Sequence, residues 1–426
     1  MANAFERHTL PNGLRVVTAP MPQAKSVACF IMLAAGSRYE TRDTNGIAHF
    51  AEHMFFKGTE RRPTARHIAG EIDAIGGEFN AFTSKEYTGY YVKCAAEHRD
   101  VALDVLVDML RNSKFDAQEV DREKGVIVEE MNMYYDTPRD FLEGVYDELL
   151  YGDQPLGWDI IGTKETVRAA TRETFLGYLD KWYRAPRMVA GVAGAVGDDI
   201  MPRLEELLGD VRDGSTGEPA RVEVQQQEAP RVKLHTKTSD QAHVRVGVHS
   251  YPIVHEDRYA LALLATVLGG GMSSRLFTEV RERRGLAYYI FGHNMGYTDT
   301  GTLFAQGGVD IQRIDEAVQT IVAEFARIAA EPVEADELEK ARNFAKGRLV
   351  LSLEDPKGMI MFGLRSEVLE GTTREPDEVI AGLEAVTVED IQRVAQDVIR
   401  DDGLNFALIG PFDEADRFEK LLSLSA

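Results

Sequence analysis

Apolar positions along this chain follow two rhythms. Short alternating or continuous runs predict strands. "HTLPNGLRVVTAP" reads as a hairpin-like pair about Asn12-Gly13, "SVACFIMLAAG" as a buried strand, and "GEFNAFTS" and "EYTGYYVKCAA" as alternating strands. Longer stretches with apolar residues three and four apart predict helices. One carries "GIAHFAEHMFFKGT", and one runs from about Ala65 to Ile75 and stops at Gly76-Gly77. Others occupy roughly 97–113, 116–135 and 138–151, and a helix from about 171 leads into the strand "RMVAGVAGAV". Strands and helices in runs, without strict alternation, predict an α+β unit: an antiparallel sheet with helices packed against it.

The same unit is expected twice. Gly209 to Pro230 is polar, rich in Gly, Pro and Gln, and reads as a linker between domains at 1–208 and 231–426. At one offset of 216 residues, "TRETFLGYLDKWY" from Thr171 falls on "TVEDIQRVAQDVI" from Thr387. Gly194 falls on Gly410, and Glu123-Lys124 on Glu339-Lys340. Each match is weak, but three at one offset favour duplication.

A length of 426 residues suits two or three domains, and 44% hydrophobic with 28% charged residues is ordinary globular composition. No apolar run approaches a membrane helix, and "MANAFERHTL" has neither the basic nor the apolar region of a secretion signal. Cys29 and Cys94 sit in strand-like apolar stretches and read as buried free thiols. The expectation is a cytoplasmic protein, with a mature organellar matrix protein that has lost its transit peptide as the alternative. With 70 acids against 48 bases the net charge is −22, which argues against nucleic acid and anionic membrane as partners. Basic partners fit, although a solvated acidic surface, which needs no partner at all, is the simpler reading.

The chemistry lies in "GIAHFAEHMFFKGT". On a helix, His49 and His53 project from one face about 40° out of line, so the two imidazoles can share one metal ion. Glu52 lies on the adjoining face, where it can reach water at an open position without being a ligand. The remaining residues (Ile47, Ala48, Phe50, Ala51, Met54, Phe55, Phe56) are apolar, so the helix is expected to be buried and its His and Glu to need partners. The alternative is a helix whose histidines merely hydrogen-bond. A catalytic site needs a third ligand, and Glu129 and Glu130 in "EVDREKGVIVEEMNMYY" compete for it. With Glu123 at 0°, the apolar stripe of Val120, Ile127, Met131 and Tyr134 lies at about 20° to 80°. Glu130 falls near ~340°, beside Glu123, and Glu129 near ~240° on the solvent side. Glu130 is therefore the ligand candidate, and Glu123 a carboxylate that braces a ligand from behind.

With these residues placed, the sequence resembles the pitrilysin/insulinase (inverzincin) metallopeptidases, and within them the mitochondrial processing peptidase β-subunit and its bacterial relatives. "HFAEHMFFKGT", "GGEFNAFTSKEYTGYY" and "REKGVIVEEM" carry the likeness, which covers nearly the whole chain. The resemblance implies zinc held by His49, His53 and Glu130, with Glu52 as general base. It implies that an edge strand with Asn80 and Ala81 pairs with substrate backbone, as unpaired edge groups can. It implies a clamshell that admits short or unfolded, presequence-like peptides. In the second copy, Ala265, Leu268 and Gly269 stand at the metal positions, so that copy has no metal site. Family relatives have an Arg and a Tyr near the scissile bond, matched here by Arg281 and Tyr288. "DFLEGVYDELL" resembles a processing-peptidase segment whose acids bind a substrate arginine, which points to Glu143 and Asp147; a solvated helix face is the alternative. The rival functions are a non-catalytic partner subunit and a structural zinc module, the latter requiring a fourth protein ligand such as Glu123. The intact zinc motif together with the Arg281/Tyr288 pair favours a homodimer, with a heterodimer as the alternative.

Overall fold

The computed structural model describes residues 3–214 and 216–425; residues 1, 2 and 426 of the expected domains and Ser215 of the expected linker lie outside it. The strands of the first half are β1 (Glu6–Thr9), β2 (Arg15–Pro20), β3 (Ser26–Leu33), β4 (Glu78–Thr83), β5 (Thr88–Ala95) and β6 (Met188–Gly194). Those of the second are β7 (Arg231–Thr236), β8 (Ala242–Ser250), β9 (Ala287–Gly296), β10 (Gly301–Val309) and β11 (Asn405–Gly410). The first six form one sheet in the order β1-β2-β6-β3-β5-β4, the other five a second in the order β7-β11-β8-β10-β9. Without β1, the two paths are the same.

Neither sheet is purely antiparallel, contrary to the expectation. β6 runs parallel to β2 and antiparallel to β3, and β11 runs parallel to β7 and antiparallel to β8. The cause is topological. β2 and β3 run in opposite directions, so a strand inserted between them must be parallel to one. Periodicity reports that a segment is a strand; it carries no information about which gap the strand enters.

The compact units also depart from the expected contiguous division. One comprises the chain up to Asn132, Asp159–Ala220 and Leu349–Glu378; the other comprises Met133–Trp158, Arg221–Arg348 and the chain from Val379. Two helices account for this. Pro356–Glu370 packs Ile360, Leu364 and Val368 against Val17, Ala28, Phe30 and Val189 of the first sheet. Pro138–Tyr151 packs Leu142, Val145, Tyr146 and Leu150 against Phe304, Ala407 and Ile409 of the second. Each half of the sequence thus supplies a helix that covers the other half's sheet. The described residues of the expected linker are irregular chain, and its 216–220 part is tied to the first unit by Arg187 to the Gly217 carbonyl and Arg38 Nη2 to the Ala220 carbonyl at 3.0 Å.

Residues alternate along β3. Ala28, Phe30 and Met32 meet the Pro356–Glu370 helix, and Cys29 and Ile31 point to the opposite face. On that opposite face lies the helix Ile47–Phe55, whose Phe55 ring sits edge-on 5.2 Å from Tyr90 of β5. Cys29 and Cys94 are buried free thiols, as expected. Among the described residues no helix is long and apolar enough to cross a membrane.

Candidate metal centre

Ile47, Ala48, Phe50, Ala51, Met54 and Phe55 of the Ile47–Phe55 helix are buried, while His49, Glu52 and His53 are only partly covered. The 3.6-residue period makes this split: the apolar stripe takes the core, and the three polar residues share what is left. The helix begins at Gly46, with φ of 93° and a would-be Cβ 2.7 Å from the Ile161 carbonyl, so only glycine fits and no side chain can cap from there. The cap comes from Glu40. Its carboxylate accepts from the Ala48 N–H at 2.7 Å, the Gly46 N–H at 2.8 Å and Asn45 Nδ2 at 3.0 Å. Burial pushes the Glu40 carboxyl up to about 8, against the pull of those donors.

Glu130 reaches the histidines from the helix Ala117–Asp136. His49 Nε2 lies 3.6 Å from Glu130 Oε1 and His53 Nε2 lies 3.5 Å from Glu130 Oε2. Ligands about 2 Å from a tetrahedral ion sit roughly 3.3 Å apart, so these spacings suit one shared ion. One ligand atom from each residue lies within 4.8 Å of the others, the one such cluster among the described residues. Burial, with His53 beside it, lowers the His49 pKa to about 3, so the ring is neutral, the form that ligates. His49 Nδ1 is buried without a hydrogen-bond partner. Two imidazoles and one carboxylate with a position left over form the donor set of a catalytic site.

The surrounding groups each touch one member. His53 Nδ1 lies 3.0 Å from Glu123 Oε1, and Lys57 Nζ lies 2.6 Å from Glu123 Oε2. Burial alone would raise the Glu123 carboxyl; the bonds to His53 and Lys57 outweigh it and hold the group below its ordinary value. Glu123 sits on the nitrogen opposite the one that faces Glu130. It braces His53 and does not converge as a fourth ligand, which weakens the structural-zinc reading. Glu129 is exposed, as its helical phase predicts. Glu52 Oε2 accepts from Thr83 Oγ1 at 2.5 Å, and burial raises its carboxyl while that bond pulls it down.

Asn80 and Ala81 lie on β4, which among the described residues pairs only with β5 and is the edge of the first sheet. Arg281 and Tyr288 belong to the other unit. Arg281 is in a π-helical turn, Phe277–Arg283, and Tyr288 is on β9, the edge of the second sheet. The guanidinium carbon lies 5.6 Å from the Tyr288 ring centroid, and Tyr288 is 76% exposed. Ala265, Leu268 and Gly269 are buried in the helix Arg258–Gly269, where an added Cβ at Gly269 would meet the Gly292 nitrogen at 1.9 Å. That helix lies too close to β9 for a ligand-bearing face.

Asp147 is not part of a solvated acidic face, whereas the Glu143 side chain is 44% exposed. Asp147 is 3% exposed, and Glu143 Oε2 lies 3.6 Å from Arg245, a buried arginine of the same unit. Both were placed on the right helix, but periodicity there could not tell which residues its other faces meet. Glu40, Lys57 and Thr83 were not found from the sequence. Thr83 lay in plain view in "FNAFTS", and Glu40 had no periodic or spacing signal.

Residues 15–164 match the sequence model of "Insulinase (Peptidase family M16)" and residues 169–344 that of "Peptidase M16 inactive domain". The chain is 38% identical over 410 residues to a Bacillus subtilis protein named "Uncharacterized zinc protease YmxG", covering 96% of this chain and 98% of that one. It is 36% identical over 400 residues to a Streptomyces coelicolor protein named an uncharacterized zinc protease, covering 92% and 87%. In fold it is similar to a protease from Helicobacter pylori, with TM-score 0.89 and 22% identity over 96% of this chain and 100% of that one. Two family models in tandem and full-length relatives above 30% identity lead to one conclusion: this chain belongs to the insulinase (M16) peptidase family.

Proposed function

We propose that this chain is a zinc-dependent endopeptidase acting on short or unfolded peptides. The observation that carries this reading is the convergence of His49, His53 and Glu130 on one point, with Glu52 beside it and not in it. His49, His53 and Glu130 would hold zinc, which when bound supplies a Lewis acid that polarises a carbonyl and makes water nucleophilic near neutral pH. Glu52 takes the proton of the attacking water and returns it to the leaving amine. Glu123 holds His53 in the tautomer and orientation that ligation needs. The free edge of β4 at Asn80 and Ala81 pairs with the substrate backbone and keeps the peptide extended.

Tyr288, solvent-facing beside Arg281, has a hydroxyl able to hydrogen-bond the developing oxyanion. Both residues come from the copy that lacks metal ligands. We take the functional form to be a homodimer in which Arg281 and Tyr288 of one subunit complete the zinc site of its partner. The net charge of −22 favours basic, presequence-like substrates. Purified protein should carry about one zinc per chain and cleave a quenched basic peptide. Glu52→Gln should keep the zinc and lose at least ~100-fold in hydrolysis, as loss of a general base does. Near-normal turnover in that variant would refute the role of Glu52. Zinc without hydrolysis in the wild type would point to the non-catalytic subunit.

A further inference from the structure

Glu52 reaches its site on a stem with three soft torsions, and a base must be aimed to within a fraction of an ångström. Among the described residues one side chain is hydrogen-bonded to it: Thr83, whose hydroxyl donates to Oε2 at 2.5 Å. That length is typical of a charge-assisted O–H···O⁻ bond. A hydroxyl has one hydrogen to give, so Oε2 is engaged and Oε1 is the oxygen free to accept a proton.

Thr83 is the last residue of β4, paired with Thr88 of β5. The chain just beyond it is locked. Ser37 and Arg38 donate backbone N–H bonds to the Ser84 and Lys85 carbonyls at 3.1 and 2.7 Å. Arg38 Nη1 pairs with Glu86 at 2.8 Å, both side chains being buried. Upstream on the same short strand, Asn80 and Ala81 lie at the sheet's free edge. One six-residue strand therefore carries both the edge available to a peptide and the donor that aims the carboxylate.

We propose that Thr83 is the positioning residue for Glu52, so that the strand on which substrate pairs also orients the base. This rests on the peptidase reading above. Thr83→Val keeps the shape and removes the donor; Thr83→Ser keeps the donor and removes a methyl. With zinc content unchanged, Thr83→Val should lower kcat by on the order of 10- to 100-fold, leave KM within about two-fold, and be largely rescued in Thr83→Ser. In a Glu52→Gln background, Thr83→Val should cost little more, because the two residues act as one unit.

A readout free of activity accompanies these. In metal-free protein labelled with carboxyl-¹³C glutamate, the infrared difference between wild type and Thr83→Val should show a shifted carboxylate band. That band should vanish when the comparison is made in Glu52→Gln. An unshifted band, unchanged kcat in Thr83→Val, loss of zinc in that variant, or Thr83→Ser as impaired as Thr83→Val would each overturn the proposal. A shifted band in a wild type that holds zinc and hydrolyses nothing would overturn the peptidase reading, and the positioning role with it.

Discussion

Replacing Glu123 separates bracing from ligation. Its two oxygens serve different partners, His53 Nδ1 at 3.0 Å and Lys57 Nζ at 2.6 Å. In Glu123→Gln one of the two accepting oxygens becomes an NH2 that can only donate, so the separate contacts to His53 and Lys57 no longer each have an accepting oxygen. In Glu123→Ala both contacts go, and the His53 ring loses the group that fixes its tautomer. Outer partners of ligating histidines contribute roughly 10- to 100-fold in metal affinity. We expect about a ten-fold loss for Gln and nearer 100-fold for Ala, roughly 1.4 and 2.7 kcal/mol. The Lys57 side chain is 26% exposed and can rehydrate, so the fold should survive both changes. Competition against a chelator measures the affinity, and saturating zinc should restore most of the hydrolysis. The same carboxyl has a pH signature. Its pKa in the fold is held below the ordinary 4.5, so its stabilising contribution is present above that value. The contribution is lost as pH falls through the lower, folded value. An alanine variant that holds zinc within two-fold of wild type would refute the bracing role.

Glu130→Gln should lose zinc on dialysis against a weak chelator, whereas Glu129→Gln should keep it; the opposite result would reverse the ligand assignment. Glu52→Gln and the double variant Arg281→Ala/Tyr288→Phe should each be inactive, and mixing them under exchange conditions should recover a substantial part of the activity. No recovery, with mixed dimers demonstrated by differential tagging, would exclude sites shared between subunits. A basic peptide should be cleaved with a KM that rises with salt, because ions screen fixed carboxylates beyond about 8–10 Å. Equal cleavage of matched acidic and basic peptides at low salt would remove the charge preference. Gly269→Ala should lower the melting temperature, because its Cβ would press on the Gly292 backbone; an unchanged melt would show that the helix can shift away from β9.

What the sequence made legible was local. Helical phase put His49 and His53 on one face of their helix, and on another helix it separated Glu130 from Glu129 and set Glu123 beside Glu130, because one period governs the positions within each helix. The edge position of β4 came from the family resemblance and not from the pattern of "FNAFTS", which reports a strand but not its partners. What stayed hidden was non-local. An apolar stripe states that the helix at 138–151 buries a face; it does not state which sheet receives it, nor that Asp147 is buried with it. Arg245, the internal neighbour of Glu143, lies 102 residues away along the chain and shares no pattern with it. Glu40, too, acts through contacts made by a loop, which periodicity does not describe.

The exchanged helices carry a historical and a practical consequence. If the two halves arose by duplication, the ancestral polypeptide was a self-swapping dimer, each copy lending its Pro-headed helix to its twin, and gene fusion tied together an assembly that already existed. The descendant still behaves as two interlaced pieces. A protease cut between 216 and 230 would leave fragments that each contribute to both compact bodies, so the nicked molecule should migrate as one particle until denatured. Either fragment expressed by itself would display a bare sheet face and an orphan apolar helix. Co-expression, and not truncation, is therefore the way to take this molecule apart.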